Sequence, residues 1–356
     1  MIKLGVDAWN LPGDRRGIGR YLRAILREWS DWARDRVEVT LIVPEWHTWT
    51  VLKRYLREVA QRPYRIVSRR WHGRAGLDAL WFPFNGCSWT NFSLPAAATL
   101  HDASNFVVED YAPETQAIFR AAAQRCRVLM TDSKFAATEL ARVLQISRER
   151  LVAIPLGVDP PRAPAPVSLD VASLQPYVLC VGTAERRKGF DTLLAAMARV
   201  GRDQPGFQLV VTSNVEGWEV PANVRVRALG YVDDDTLAEL YRGCALLAFP
   251  SRYEGFGLPV LEAMSYGAPV VASNASAVPE AGGDAACYVP PGDDAGLAEA
   301  IVRVASDAQY AGYLRQRGLR RAAEFRWNRT AEQTLAAIES MVRRSRASAQ
   351  DDTASR

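Results

Sequence analysis

What most restricts the fold of this chain is a regular alternation of short apolar runs with amphipathic segments, broken once by a cluster of prolines. Before the break, IKLGVDA, VEVTLIVP, YRIVS, DALWFPF, AATLH, VLMTDS and LVAIPLGVD read as strands. They are short, apolar and rich in branched residues, the pattern of strands buried on both faces. A loop, WNLPGDRRGIG, precedes a helix with Ile18, Leu22, Ile25, Leu26 and Trp29 on one face. PETQAIFRAAAQRC and KFAATELARVL supply two more helices, the last behind Ser133 as N-cap. PPRAPAPVSLDVASLQP then places prolines at 160, 161, 164, 166 and 176, too many for a helix or a sheet, and reads as a linker. Beyond it the alternation restarts with YVLCVGT and runs to AGLAEAIVRVASD. Strands alternating with helices on both sides of a joint predict an α/β chain with two doubly wound parallel sheets. The expected boundaries are a first domain at 1–160, the linker at 161–176, a second domain at 177–325, a last helix at 326–345 and a disordered polar tail at 346–356. Such sheets take ligands beyond the carboxyl ends of their strands, so two facing domains would make a cleft there.

A length of 356 residues suits two domains of ordinary size. With 48% hydrophobic and 24% charged residues, the composition is that of a soluble globular protein, and no apolar run reaches the length of a membrane span. The opening MIKLGVDAWN lacks the long apolar core of a signal peptide, so a cytoplasmic location is expected. Cys87, Cys126, Cys180, Cys244 and Cys287 are scattered without a C-x-x-C pair, and the only histidines are His47, His72 and His101. Neither pattern offers a zinc or disulfide framework, and no metal is expected. Residues 1–160 hold 23 basic and 17 acidic side chains, against 21 and 23 in the remainder. The excess peaks at 53–74, where eight basic residues oppose Glu58 and Tyr55, Tyr64 and Trp71 are interleaved, with Trp46 and Trp49 upstream. A solvated arginine-rich face is one reading of residues 46–74, and an anionic membrane surface is the other. Nucleic acid is not expected, because the patch comes with no recognised binding module.

EGFGLPVLE, residues 254–262, brackets glycine, phenylalanine, proline and aliphatics with two acids. The preceding ALLAFPS is a strand running into a loop, so Glu254 falls just past a strand's carboxyl end. Gly255 and Gly257 let a backbone approach a ligand closely. Pro259 suits the first turn of a helix, where its missing N–H is unpaired anyway, and Glu262 is expected on that first turn. A helix N-terminus offers N–H groups and positive potential to a phosphate, and an acid on either side can accept hydroxyl hydrogen bonds. A glutamate at the favourable end of a helix dipole explains either acid alone, but not the two acids, two glycines and proline together.

These residues carry a resemblance. SRYEGFGLPVLEAMSYGAPVVAS resembles the E-x7-E signature of the retaining glycosyltransferases of family 4, which have the GT-B fold of two Rossmann-like domains. GIGRYL, HDAS, TDSKFAATEL, IPLGVD, VGTAERRKGFDTLLAA, LGYVDDDTLAELYRGCALLAFPS and FRWNRTAEQTL occur in the family's order over nearly the whole chain. The set is most similar to the O-antigen mannosyltransferase branch.

The resemblance implies roles at matching positions. Glu254 corresponds to the acid that contacts hydroxyls of the donor sugar, and Glu262 to the acid that binds the nucleotide ribose. Gly255, Phe256, Gly257 and Leu258 correspond to the loop facing sugar and diphosphate. Lys188 corresponds to a lysine on the donor phosphates, where a cation offsets charge on the departing diphosphate. Many relatives have an arginine beside Gly182; here Thr183 stands there, and Arg186, Arg187 or Arg252 is left to substitute. His101 corresponds to a histidine reaching the donor sugar from the first domain, with Asp102 as its support or a loop cap. Gly17 and Gly19 correspond to the loop near diphosphate and acceptor, and Tyr231 and Val232 to the segment around the base. In the family the last helix crosses back onto the first domain.

The expected function is therefore transfer of a hexose, mannose from GDP-mannose above all, onto a glycan or polyprenyl-linked acceptor in surface polysaccharide assembly. The expected transferase is retaining, metal-independent and without a cofactor, working in the cytoplasm or at the inner face of its membrane. The alternatives are UDP-glucose or dTDP-rhamnose as donor, an epimerase or phosphorylase of the same fold, and a nucleotide-sugar-binding protein without catalysis.

Overall fold

The computed structural model describes residues 1–11, 17–44, 64–108, 113–204 and 206–354. The chain divides into two compact units, one of Met1–Gly157 with Trp327–Arg356 and one of Val158–Arg326.

The first unit runs β1 (Ile2–Asp7), α1 (Gly17–Trp32), β2 (Val37–Val43), β3 (Arg65–Ser68), β4 (Ala79–Phe82), β5 (Ala96–Thr99), α2 (Ser104–Val107), α3 (Pro113–Arg125), β6 (Val128–Thr131), α4 (Lys134–Leu144) and β7 (Leu151–Ala153). Its seven strands are parallel in the order β3-β2-β1-β4-β5-β6-β7. The central strands are buried along their whole length, which is why they read as unbroken apolar runs. Tyr21, Leu22, Ile25, Leu26 and Trp29 form the buried stripe of α1. Ser133 caps α4 as expected, its side chain accepting from Ala136 N at 2.9 Å.

The second unit runs β8 (Tyr177–Cys180), α5 (Phe190–Asp203), β9 (Gln208–Val211), β10 (Val226–Ala228), α6 (Asp234–Gly243), β11 (Leu246–Phe249), α7 (Leu258–Ser265), β12 (Val270–Ser273), α8 (Val278–Gly282), β13 (Cys287–Val289), α9 (Asp294–Ser306) and α10 (Ala308–Ala322). Its parallel order, β10-β9-β8-β11-β12-β13, repeats that of the first sheet. Leu193, Met197, Leu297 and Ile301 from α5 and α9 bury against Val178, Leu209 and Leu246 of the sheet. Truncating one of these, such as Leu193→Ala, costs about 2–5 kcal/mol through lost burial and the cavity left behind.

Three features differ from the sequence reading. The proline-rich segment 161–176 is not a free linker but lies against the second unit. Arg162 pairs with Asp234 and Asp235, each at 2.8 Å, Ala165 N donates to Glu239, and Leu174 is buried. Proline excludes helix and sheet, yet it leaves such side-chain anchoring open. The segment from 346 to 354 is not structureless, since α11 (Trp327–Ala354) runs to Ala354 and Arg346 pairs with Asp78 at 2.9 Å. Its alanines, arginine and glutamine are good helix formers, and a helix already under way extends without a new nucleus. Finally, α8, β13 and α10 were not foreseen; the first two are too short to show a period.

The last helix belongs to the first unit. Trp327, Leu335, Ile338 and Met341 are buried there, Trp29 Nε1 donates to Ala331 O at 3.0 Å, and Arg36 pairs with Glu332 and Glu339.

Candidate active site

Parallel order reverses direction at β8 and β11 in the second sheet, and the loops beyond their carboxyl ends flank a crevice there. Lys188 comes from the loop after β8 and Glu254 from the loop after β11. Lys188 Nζ donates to Glu254 Oε1 at 2.5 Å, and Ser251 Oγ donates to the same oxygen at 2.8 Å. Ser276 Oγ accepts from Glu254 N at 2.9 Å, so both ends of the glutamate are held. Gly189 lets the lysine loop pack this closely: its φ is +70°, and a Cβ would collide with the Pro250 carbonyl. An ammonium has three donors, and Glu254 takes one of them, which leaves charge for an incoming anion.

The other side of the crevice is the N-terminus of α7. Gly257 caps it at φ +100°, in a left-handed conformation that L side chains rarely adopt, and supplies no side-chain cap to the first N–H groups. Gly255 and Phe256 are buried in the approach, Phe256 edge-on to Phe325 at 5.8 Å, and Leu258 opens the helix. A helix start bare of side-chain caps, beside an ammonium, suits a phosphate. Glu262 lies one residue further along than expected, as the fifth residue of α7, and accepts from the Tyr241 hydroxyl at 3.0 Å. Proline takes the second helical position, with Leu258 ahead of it, which shifts the count by one.

The candidate arginines separate. Arg252 grips Asp191 with two bonds, 2.7 and 2.9 Å, and also reaches Thr192 Oγ1 and the Arg186 carbonyl. It is a strut between its loop and α5. Arg187 donates to Tyr253 O at 3.0 Å, holding the two site loops together, and Arg186 points into solvent with Asp191 at 3.9 Å. Tyr231, exposed, and Val232 lie in the loop between β10 and α6, at the carboxyl edge of the same sheet.

His101 stands in the first unit, just past β5, and is buried. Its Nδ1 pairs with Asp132 Oδ2 at 2.8 Å and its Nε2 lies 3.0 Å from the Pro83 carbonyl, which can only accept. Burial by itself would lower the histidine pKa, but the Asp132 carboxylate and the Pro83 carbonyl outweigh it, and the net shift is upward. The partner is therefore Asp132, from the loop after β6, and not Asp102, which instead caps Ser104 with bonds of 2.9 and 2.6 Å. Both ring nitrogens are thus hydrogen-bonded within the first unit. Gly17 and Gly19 are likewise not in a loop: they sit in the first turn of α1, Gly19 buried.

The sequence comparisons decide the family. Residues 175–307, the stretch that carries this crevice, match the profile described as glycosyl transferases group 1. The O-antigen chain mannosyltransferase B of Escherichia coli is 32% identical over 299 residues, 76% of this chain and 78% of that protein. The chain belongs to the group 1 glycosyltransferases. An MMP alpha-(1->4)-mannosyltransferase of Mycolicibacterium hassiacum is 33% identical over 236 residues, 61% of this chain and 54% of that protein. Among solved structures, Anabaena HepE in complex with UDP-glucose superposes with a TM-score of 0.71 at 18% identity, covering 96% of this chain and 100% of that one. The glycosyltransferase has the GT-B fold.

The basic stretch of this glycosyltransferase is only partly in view, because Trp46, Trp49, Tyr55 and the basic side chains at 53, 54, 57 and 62 lie outside the described residues. Within view, Arg69 turns inward, 3.5 Å from the buried Asp7. That removes it from any solvent-facing patch: a guanidinium able to reach a buried carboxylate is held there. Trp71 is 47% exposed and lies between the guanidinium groups of Arg70 and Arg74, 5.6 and 4.6 Å from its ring. No helix among the described residues is long and apolar enough to cross a membrane. Asp132 and Ser251, which hold His101 and Glu254, went unnoticed in the sequence. Each lies in a motif already singled out, TDSKFAATEL and LLAFPS, and the signal available was its place just beyond a strand.

Proposed function

We propose that this glycosyltransferase is a retaining, metal-independent mannosyltransferase that uses GDP-mannose and extends a glycan or polyprenyl-linked acceptor in surface polysaccharide assembly. The observation that carries the reading is the Lys188–Glu254 pair, 2.5 Å apart, at the uncapped start of α7. The mannosyltransferase relatives supply the choice of sugar. The diphosphate takes the α7 N-terminus and Lys188, Glu254 accepts sugar hydroxyls, and Glu262 accepts from the ribose. Tyr231 and Val232 lie along the base, and Gly17 and Gly19 near the acceptor. As the bond between the sugar C1 and the diphosphate oxygen breaks, the acceptor oxygen bonds C1 on the same face and its proton passes to the leaving phosphate. Lys188 and the helix dipole supply positive charge to that phosphate, which is the role a divalent cation plays in metal-dependent transferases.

We further propose that the protein works on the cytoplasmic side of a membrane with anionic lipid, through Arg70, Trp71, Arg74 and the rest of residues 46–74. A second donor reading keeps the fold and mechanism with UDP-glucose, the ligand named with Anabaena HepE, or with dTDP-rhamnose. Purified protein is incubated with GDP-mannose, UDP-glucose and dTDP-rhamnose, with and without EDTA, over a panel of alkyl glycosides, and the product anomer is read by NMR. Transfer from GDP-mannose with retention in EDTA is the expected result. Transfer from another donor selects the second reading, and nucleotide binding without any transfer makes the protein a non-catalytic binder.

A further inference from the structure

Glu262 is the fifth residue of α7, so its Cα stands about 6 Å along the helix axis from Leu258, at about 1.5 Å per residue. An acid at that separation from the uncapped helix start lies within reach of the ribose that adjoins a diphosphate. Its side chain is only half-buried, and a glutamate has three torsions to settle. A carboxylate that swings freely must be ordered by the ligand, at a loss of affinity, whereas one already in place spares the ligand that loss.

Tyr241 does that ordering. From α6 its hydroxyl donates to Glu262 Oε2 at 3.0 Å, since a carboxylate can only accept. The tyrosine is itself fixed: it is 2% exposed and shares the buried face of α6 with Ala238 and Leu240. Its ring stacks on Tyr266, with centroids 5.7 Å and planes 13° apart. Tyr266 closes α7, its N–H donating to the Glu262 and Ala263 carbonyls at 3.3 and 3.1 Å, and the Arg242 guanidinium lies 4.9 Å over its ring. The two stacked tyrosines therefore hold Glu262 at both ends, Tyr266 through the backbone and Tyr241 through the carboxylate. A phenylalanine at 241 would fill the same space and keep the stack, so packing alone leaves the hydroxyl without a purpose. An ionised carboxylate has about four lone-pair sites, and a bond at Oε2 orients it without exhausting it.

We propose that Tyr241 is a positioning residue for the donor: it holds the Glu262 carboxylate in place for the ribose hydroxyls, and so makes the site select a ribonucleotide. The proposal deepens the donor reading and rests on it for the role of Glu262. It does not depend on which base or sugar the donor carries.

The test is calorimetric titration of the full chain with GDP, UDP and the 2′,3′-dideoxy counterpart of each. Wild type is expected to bind one ribonucleotide about tenfold or more tighter than its dideoxy counterpart. Tyr241→Phe removes the hydroxyl alone, and should weaken that ribonucleotide about three- to tenfold while the dideoxy form stays within about twofold. Equal losses for the two nucleotides make Tyr241 a packing residue and overturn the proposal, as does no loss for either. A wild type that binds both forms equally overturns the ribose role of Glu262 and the proposal with it. No nucleotide binding at all overturns both together with the donor reading. Should Tyr241→Phe fail to fold, 3-fluorotyrosine placed at position 241 alone decides. Its 19F signal should shift differently with the saturating ribonucleotide than with the dideoxy form, and identical shifts overturn the proposal.

Discussion

Arg252 and Asp191 form a two-bond ion pair, 2.7 and 2.9 Å, that ties the loop after β11 to the first turn of α5. The arginine also bonds Thr192 and the Arg186 carbonyl, so its guanidinium is committed to shape. The pair draws the Asp191 pKa down against the burial that opposes it. Arg252→Ala should therefore lower the melting temperature of the second unit, by an amount equivalent to about 1–2 kcal/mol, and leave nucleotide affinity within about twofold. Calorimetry and a GDP titration read the two effects. An affinity loss of tenfold or more at unchanged stability would make Arg252 a phosphate clamp after all.

Lys188 makes the opposite case. Its charge is shared with Glu254 at 2.5 Å before any donor arrives, and the diphosphate gains negative charge as the sugar departs. Lys188→Ala should lower kcat about a hundredfold or more while GDP affinity falls less than about tenfold. Equal losses in both would reduce the lysine to a binding residue.

The buried His101–Asp132 pair has a signature in pH. The His101 pKa is raised: burial opposes the charge, but Asp132 and the Pro83 carbonyl together favour it by more. A histidine shifted upward adds stability that is complete below its unfolded pKa, about 6.5, and is lost as pH rises through the higher folded value. Asp132 is also raised, chiefly by burial, so its ionisation likewise lowers stability as pH rises. The melting temperature of wild type should fall on the alkaline side of about pH 6.5, and His101→Gln should flatten that slope. Parallel slopes in the two proteins would show that the pair carries no net proton linkage.

How far the sequence could be read follows from which signals are local. The strands, α4 with its Ser133 cap and the Glu254–Glu262 bracket are written in short stretches, because apolar runs, caps and turn residues act within a few positions. Partners distant in sequence are not written that way. Asp102 adjoins His101, yet the carboxylate that meets the ring is Asp132, brought in by the neighbouring strand β6. Arg252 read as a candidate phosphate cation and Arg69 as part of a basic face, and they are held by Asp191 and Asp7, 61 residues away in the first case. The prolines of 160–176 announced an end to regular structure but not the pairing of Arg162 with α6.

The last helix tests the division into units. Ending the chain before Trp327 removes Trp327, Leu335, Ile338, Met341 and Val342 from the first unit, all buried. At about 1.5–3 kcal/mol for each large side chain, the loss is as large as the whole stability of an ordinary domain. The first unit of that truncation should be unfolded or insoluble by circular dichroism and sedimentation. Ending it after Ser345 removes the exposed Arg346–Asp78 pair and a helix end, a cost of about 1 kcal/mol or less for that pair, and should leave activity intact. A folded, active protein without α11 would contradict its assignment to that core.

Membrane binding separates the side chains that the basic stretch had grouped together. Trp71 stands exposed between Arg70 and Arg74, whereas Arg69 is committed to Asp7 and Ser88. Near an anionic surface each free arginine gains roughly 1 kcal/mol within about a Debye length, and an indole can settle at the headgroups. Arg70→Glu with Arg74→Glu should therefore reduce co-sedimentation with vesicles containing phosphatidylserine about tenfold or more, since each change removes an attraction and adds a repulsion. Wild-type binding should weaken steeply with salt, and activity on a short alkyl glycoside should be unchanged in the double variant. Arg69→Glu, by contrast, should disturb the first unit itself, because it sets a second negative charge beside the buried Asp7. Wild type that stays in the supernatant with anionic vesicles at low salt would leave Arg70, Trp71 and Arg74 as a solvated face.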